Sequence, residues 1–239
     1  MTATDALDMT WRDYWNENPP VYVSERHKIL HDARVAQDIA RLIPPGGARV
    51  LDHGCGEARS AGEVARRCAR LYLCDGAPAV LSRVRERFAH EPKIETLAPE
   101  EIETLIADQS LDMVVANSLA QYLSREELSA LLDLWRRKLK AGGRLIVGDV
   151  VPPDVGPLTD ARALLSFAAQ GGFLMAAVAG LVRTAFSRYS ALRSEIGLTT
   201  YSEADMVVVL KHAGFEPKRW SANIGHNQAR MTFAAGRLE

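Results

Sequence analysis

Residues 50–58 read Val50-Leu51-Asp52-His53-Gly54-Cys55-Gly56-Glu57-Ala58. Two apolar residues run into an acid, then a G-x-G pair, then an alanine-rich run of helical character. The pattern predicts a buried strand over residues 49–52 and a tight turn carrying Gly54 and Gly56. A helix is expected from Ala58 to Arg70. Glycines in such a turn adopt backbone angles closed to other residues and let a bound group approach the main chain. The free N–H groups where the helix starts can meet polar atoms there. A G-x-G turn occurs in many folds, so the text around it has to decide.

Downstream, strands are expected at 71–75, 93–97, 111–117 and 144–151, with a helix from Pro78 to Phe88. Ser124-x-x-Glu127 is a capping-box pattern opening a helix to Leu139, which Lys140-Ala141-Gly142-Gly143 ends. Ser202-x-x-Asp205 opens another helix that stops at Gly214, and 215–220 and 230–235 read as the last two strands. Upstream, residues 1–20 are polar with Trp11, Tyr14 and Trp15, and read as irregular or as one short helix. From Ser24 the text is helical, with Ile29, Ala33, Ala36, Ile39, Ala40 and Ile43 on one face. Pro44-Pro45-Gly46-Gly47 stops that helix. Strands rich in Val, Leu and Ile that alternate with helices imply a parallel sheet covered on both faces.

The chain's 239 residues, 47% of them apolar, suffice for one sizeable α/β domain. Lys plus Arg is 29 against 30 for Asp plus Glu, so no positive excess points to nucleic acid as the main partner. Cys55, Cys68 and Cys74 form neither a C-x-x-C pair nor a metal cluster, which fits a reducing cytoplasm. The first residues have early acids and no apolar core, unlike a secretory signal, so the expected location is cytoplasmic. Residues 163–182 carry no charge and have the length of a membrane span. Gln170 and Gly171-Gly172 interrupt them and strands of the same domain follow. Buried cap helices are therefore expected there, with membrane-surface contact or a homodimer interface as lesser uses.

In a doubly wound sheet, ligands bind beyond the carboxyl ends of the strands where strand order reverses. The first strand ends at Asp52 and the second at Asp75, about twenty residues beyond the glycine turn. A carboxylate there can accept both hydroxyls of a ribose.

These pieces, in this order, resemble the class I S-adenosylmethionine-dependent methyltransferases. The resemblance covers about 49–151 plus the last two strands. It is carried by VLDHGCGEA (50–58), LYLCDGAPAVL (71–81), LDMVVANSLAQYL (111–123) and LKAGGRLIVGD (139–149). A dinucleotide oxidoreductase would more often show a third glycine where Arg59 stands. The resemblance implies an α/β, doubly wound, seven-stranded, mostly parallel sheet with an antiparallel last strand. It adds an N-terminal helix and a helical lid inserted after strand five. The division expected is a lid segment over 1–44, a cofactor-binding core over 45–156, an apolar lid over 157–200 and a completing unit over 201–239. It implies S-adenosylmethionine as cofactor and no metal. Gly54, Cys55 and Gly56 would lie against its methionine portion, Asp52 would hold the amino group and Asp75 the ribose. Gly76 and Ala77 would follow the ribose and adenine. Glu100 or Glu101, or a backbone group there, would meet the adenine amine, and Asn117 would lie near the sulfonium or cap the next turn.

Methyl transfer needs an aligned acceptor, and an oxygen or nitrogen acceptor can also need a base. Candidate bases are His27, His31, His53 and His226, with Tyr22 and Tyr122 as positioning hydroxyls. His27 and His31 are four apart and share a helix face, without evident further ligands for a metal. His53 reads equally as a packing residue beside the sheet. His226 lies in Asn223-Ile224-Gly225-His226-Asn227-Gln228, which faces substrate or is a turn stapled by Asn side chains. The lid is apolar through Leu164, Leu165, Phe167, Phe173, Leu174, Met175, Val178, Leu181, Val182 and Phe186. These residues enclose a hydrophobic acceptor, pack a dimer, or form an ordinary buried helical pair. Arg183, Arg188 and Arg193 meet an anionic group or form a solvated face. The function expected is methylation of an oxygen or nitrogen of a small, partly hydrophobic molecule. The alternatives are a cofactor-binding protein without catalysis, and a methyltransferase of RNA or protein. Against RNA, Asn117-Ser118-Leu119-Ala120 stands where amino-methylating nucleic-acid enzymes of that family often carry N-P-P-Y; Asn18-Pro19-Pro20-Val21 looks similar but precedes the first strand.

Overall fold

The computed structural model describes residues 10–17, 22–185 and 197–238. Two helices, α1 (Trp11–Asn16) and α2 (Glu25–Leu42), precede the sheet. The sheet and its crossovers follow as β1 (Ala48–His53), α3 (Ala61–Ala65), β2 (Cys68–Cys74), α4 (Pro78–Arg87), β3 (Ile94–Leu97), α5 (Ile102–Leu105), β4 (Leu111–Asn117), α6 (Arg125–Lys138) and β5 (Leu139–Val150). The insertion is α7 (Pro157–Gly171) and α8 (Leu174–Ala185), and α9 (Glu203–His212), β6 (Phe215–Arg219) and β7 (Met231–Arg237) close the chain. Strand order is β3-β2-β1-β4-β5-β7-β6. The first five strands pair in parallel; β7 runs antiparallel to both β5 and β6. Order reverses between β1 and β4, which puts the switch point at the glycine turn.

Alternation along the strands makes two cores. Leu51, Tyr72, Val114 and Val147 face a layer with Ile102 of α5, Trp135 of α6 and Leu210 of α9. Val50, Leu71, Leu73 and Val115 face the opposite layer, with Ile39 of α2, Val64 of α3 and Val84 of α4. The caps read from the sequence form: the Ser124 and Ser202 side chains accept from the N–H of Glu127 and Asp205, and both boxes close reciprocally.

Two boundaries differ from expectation. Ala58 takes a left-handed φ of 45°, so the turn runs on and the following helix shrinks to α3, while Cys68 to Arg70 join β2. Lys140 to Gly143 do not end the helix but bulge from β5: Leu111 pairs with Leu139 and Met113 with Arg144. Phe186, Arg188 and Arg193, and Asn18 to Val21, lie outside the described residues. None of the helices of the described residues is long and apolar enough to cross a membrane.

Candidate active site

The glycine turn is anchored to the end of β2. The N–H groups of Gly54 and Cys55 donate to the Cys74 carbonyl at 2.8 and 2.9 Å, and the Gly56 N–H donates to Asp75 Oδ2 at 2.9 Å. Asp75 Oδ1 accepts from Ala77 N–H at 2.9 Å, so both carboxylate oxygens keep lone pairs for a further donor. Gly54 and Gly56 have φ of +80° and +58°. No atom lies within 4 Å of where a Cβ on Gly56 would stand, so the main chain is open on that side. Burial, then the nearby Asp75 charge, pushes the Asp52 carboxyl up to about 7. Burial likewise raises Asp75, against the pull of its two backbone N–H donors. Two acids held this way suit a cationic partner. The Cys55 thiol is held well above its ordinary value by burial and then by Asp52, which makes it a lining group and not a nucleophile.

At the end of β4, Asn117 Nδ2 donates to Ser118 Oγ at 3.2 Å, while Asn117 Oδ1 is buried without a partner. Gly148 of β5 makes room for it: a Cβ there would stand 2.5 Å from that oxygen. Ser118 and Asp149 both take left-handed φ, 56° and 58°, and Ser118 Oγ donates to Asp149 Oδ2 at 2.8 Å. Asp149 opens a buried polar network that the sequence reading missed. Arg230 donates to Asp149 Oδ2 at 2.6 Å, to Asp160 Oδ1 at 3.1 Å and to Gln121 Oε1 at 3.3 Å. Burial works against the Arg230 cation, but Asp149 and Asp160 outweigh it and hold it charged. The signal was available: Asp149, like Asp52 and Asp75, is an acid at the carboxyl end of a strand on the same sheet edge.

The four residues expected to handle the acceptor come together. Tyr22 lies 5.3 Å from His27 and 5.6 Å from His31, ring centroid to centroid. His226 lies 5.6 Å from His31 and 6.1 Å from His27. Phe167 of α7 stacks on His226 at 4.7 Å, and Phe173, between α7 and α8, stacks on His27 at 5.1 Å. The 223–228 loop is also stapled by its own amides: Asn223 N–H donates to Gln228 Oε1, and Gln228 Nε2 to the Gly225 carbonyl, each at 2.9 Å. The stapled-turn reading of that loop holds. The Arg59–Glu25 ion pair ties the glycine turn to the first turn of α2.

The histidines are not equivalent. Burial, then His31 and His226, lowers His27 to about 3; burial, then His226 and Arg230, lowers His31 to about 4. His226 is lowered by burial; Asp149 and Asp160 favour its cation, while Arg230 and Arg34 oppose it. His27 Nδ1 accepts from Val23 N–H at 3.4 Å, which leaves its proton on Nε2, a buried atom without a partner. Asp32, whose Oδ2 is also buried and unpartnered, is raised by burial to about 6. Burial raises the Tyr22 hydroxyl as well. Among the described residues, no three His, Cys, Asp or Glu side chains are arranged to hold a metal ion.

Two expectations are corrected. His53 is no base: Trp135 Nε1–H donates to its Nδ1 at 3.0 Å deep in the core, so it packs beside the sheet. Glu101 is committed to its own turn, accepting from Ala98 N–H at 2.6 Å and pairing with Arg85, while Glu100 is exposed. Tyr122 belongs to an aromatic group with Trp11 and Trp15, and Arg12 of α1 lies against Gly76. So α1 spans from the end of β4 to the turn after β2.

Residues 50–143 match the family model described as a methyltransferase domain. That stretch, less than half of the chain, is what it shares with the methyltransferase domain. Phosphoethanolamine N-methyltransferase 1 of Zea mays is 26% identical to this chain over 155 residues, 59% of this chain and 30% of that protein. The ubiquinone biosynthesis O-methyltransferase of Xylella fastidiosa is 29% identical over 47% of this chain and 46% of its own. The chain thus spans less than half the length of these curated relatives. Magnesium protoporphyrin IX methyltransferase from Synechocystis, solved with bound SAH, superposes with a TM-score of 0.58 at 19% identity. That match covers 95% of this chain and 97% of that one, and shows the shared fold. The open Gly56 backbone, the Asp52–Asp75 pair and the unpartnered Asn117 oxygen fit S-adenosylmethionine as cofactor.

Proposed function

We propose that this chain is an S-adenosylmethionine-dependent methyltransferase that transfers a methyl group to an oxygen or nitrogen of a small, partly hydrophobic molecule in the cytoplasm. The convergence of Tyr22, His27, His31 and His226 under Phe167 and Phe173 carries the reading. When bound, S-adenosylmethionine supplies the activated methyl. Asp52 takes its ammonium, Asp75 its ribose hydroxyls, Gly54 to Gly56 its methionine portion, and Gly76, Ala77 and the backbone near Ala98 its ribose and adenine. The protein's own task is then to orient the acceptor, exclude water and hold a proton. His226 is the base: it is neutral near pH 7, its Nδ1 is buried and unpartnered, and Asp149 and Asp160 favour the cation it becomes. His27 Nε2–H and the Tyr22 hydroxyl hold the acceptor as donors, and His31 packs beside both. The ring-lined walls favour an acceptor with an apolar body.

The test is incubation with S-adenosylmethionine and a panel of phenols, apolar amines and charged controls, followed by mass spectrometry for an added methyl. Turnover of apolar acceptors that falls about 10²–10⁴-fold in His226→Gln supports the assignment. Cofactor binding must stay intact in that variant. Binding without turnover across the panel would instead favour a protein that only holds the cofactor.

A further inference from the structure

The two insertion helices use only part of their apolar surface. Ala168, Phe173 and Ala177 are buried against Val23 and Leu30, and Gly180 is the point of closest approach to Val23. The opposite face of α8 is bare. Leu174, Met175, Val178 and Val182 are 43, 82, 48 and 61% exposed, and Leu158, in the first turn of α7, is 76% exposed. Positions 174, 178 and 182 form one stripe along a helix, with 175 beside it. A stripe this apolar is too contiguous to be ordinary surface scatter.

Charge narrows what covers it. From Ala161 to Ser194 the sequence holds no Asp or Glu and four arginines, in a chain where acids and bases are otherwise 30 against 29. Arginines mark both ends of α8. Arg183 follows the stripe and donates to the Val23 carbonyl at 3.5 Å, and Arg26 of α2 donates to the carbonyl of Gly171, the last residue of α7, just ahead of α8. Glu25, the acid beside Arg26, is paired with Arg59. An apolar stripe between exposed guanidinium groups, with no acid on its helix, matches an acyl boundary beneath anionic headgroups. A second copy of the same face would bring like charges together. Beside the stripe is an open hollow of about 520 Å³ lined by Ser24, Arg26 and residues 172–176. Phe173 lines that hollow and also stacks on His27.

We propose that the exposed face of α8, flanked by Arg26 and Arg183, docks on an anionic lipid bilayer, with α8 lying in the headgroup plane. This does not depend on the methyl acceptor assigned above. The test is flotation of the full chain with phosphatidylcholine vesicles, with and without phosphatidylglycerol, at low and high salt. The expected result is recovery with anionic vesicles, weak recovery with neutral ones, and loss at high salt. Met175→Glu with Val182→Glu should reduce binding on the order of tenfold or more. Arg183→Glu should reduce it less and flatten its salt dependence. Val208→Glu, on the exposed side of α9, should change nothing. All these positions are exposed, and matched melting curves confirm folding. The proposal is overturned if wild type ignores anionic vesicles, or if the double variant binds them as wild type does. It is equally overturned if the double substitution only converts a dimer to a monomer.

Discussion

Asp52 should make cofactor binding pH-dependent, because the fold holds its carboxyl at about 7 through burial and the neighbouring Asp75 charge. The sign follows from which form binds. The raised value favours the protonated acid in the free protein, whereas the cofactor's ammonium needs the carboxylate. Below pH 7, binding therefore expels a proton, and affinity rises with pH. The ionised fraction is about 0.76 at pH 7.5 and about 0.03 at pH 5.5, so the apparent Kd should weaken about 25-fold, or ~1.9 kcal/mol. Calorimetric titration with the demethylated cofactor, in two buffers of different ionisation enthalpy, reads affinity and proton release together. Nearly one proton should be released at pH 5.5 and about a quarter at pH 7.5. Asp52→Asn should bind weakly and flatly across the range. Asp75→Asn should move the midpoint down, since the repelling charge is gone. A flat wild-type affinity from pH 5.5 to 7.5, without proton release, would refute the argument. Without cofactor, the same group contributes stability that is fully present below pH 3.8 and lost as pH rises through about 7.

The buried histidines act in the opposite sense. His27 lies at about 3 and His31 and His53 at about 4, against 6.5 unfolded, so their stabilisation is full above pH 6.5 and is lost as pH falls. Melting temperatures should drop between pH 6.5 and 4, with a shallower drop in His31→Gln; an unchanged slope would count against it. Arg230→Met removes the shared cation of the Asp149 and Asp160 carboxylates, which keep Ser118, Asn223 and Asn227 as donors, and should cost roughly 2–4 kcal/mol in urea unfolding. A loss under about 1 kcal/mol would mean the network is solvated. Gly148→Ala puts a methyl 2.5 Å from Asn117 Oδ1 and 2.9 Å from Ile224, and should cost about 1–3 kcal/mol. It should also weaken cofactor binding by displacing Asn117, which a titration would detect.

The core of the fold was legible because its signals are local. Strand ends at Asp52, Asp75 and Asn117, two glycines and two capping boxes each declare themselves within a few residues. The α3 boundary failed because Ala58 adopts a backbone angle its identity does not advertise. The β5 boundary failed because two glycines that read as a stop serve as a bulge. On the acceptor side, chemistry rather than pattern picked out Tyr22, His27, His31 and His226. The roles proposed for them rest on the structure, where the Val23 N–H fixes the His27 tautomer and Asp149 lies close enough to act on His226. Arg230 was invisible for a different reason. A lone arginine near a strand start reads as solvated until two carboxylates from distant segments close on it.

The site is written in two separate parts of the chain. Asp52, the glycine turn, Asp75 and Asn117 all fall inside the stretch 50–143 that matches the family model. Every ring of the acceptor cluster falls outside it, and Gly225 and Asp38, 187 positions apart, are hydrogen-bonded beside that cluster. The half that holds the cofactor closes through short βα crossovers, whereas the other half forms only when the two ends of the chain meet. Closing so long a loop is entropically late. The sheet can therefore assemble while the acceptor wall is still open. On the proposed function, inheritance is divided in the same way: substitutions in the outer segments would retune which molecule is methylated without touching the parts assigned to the methyl donor.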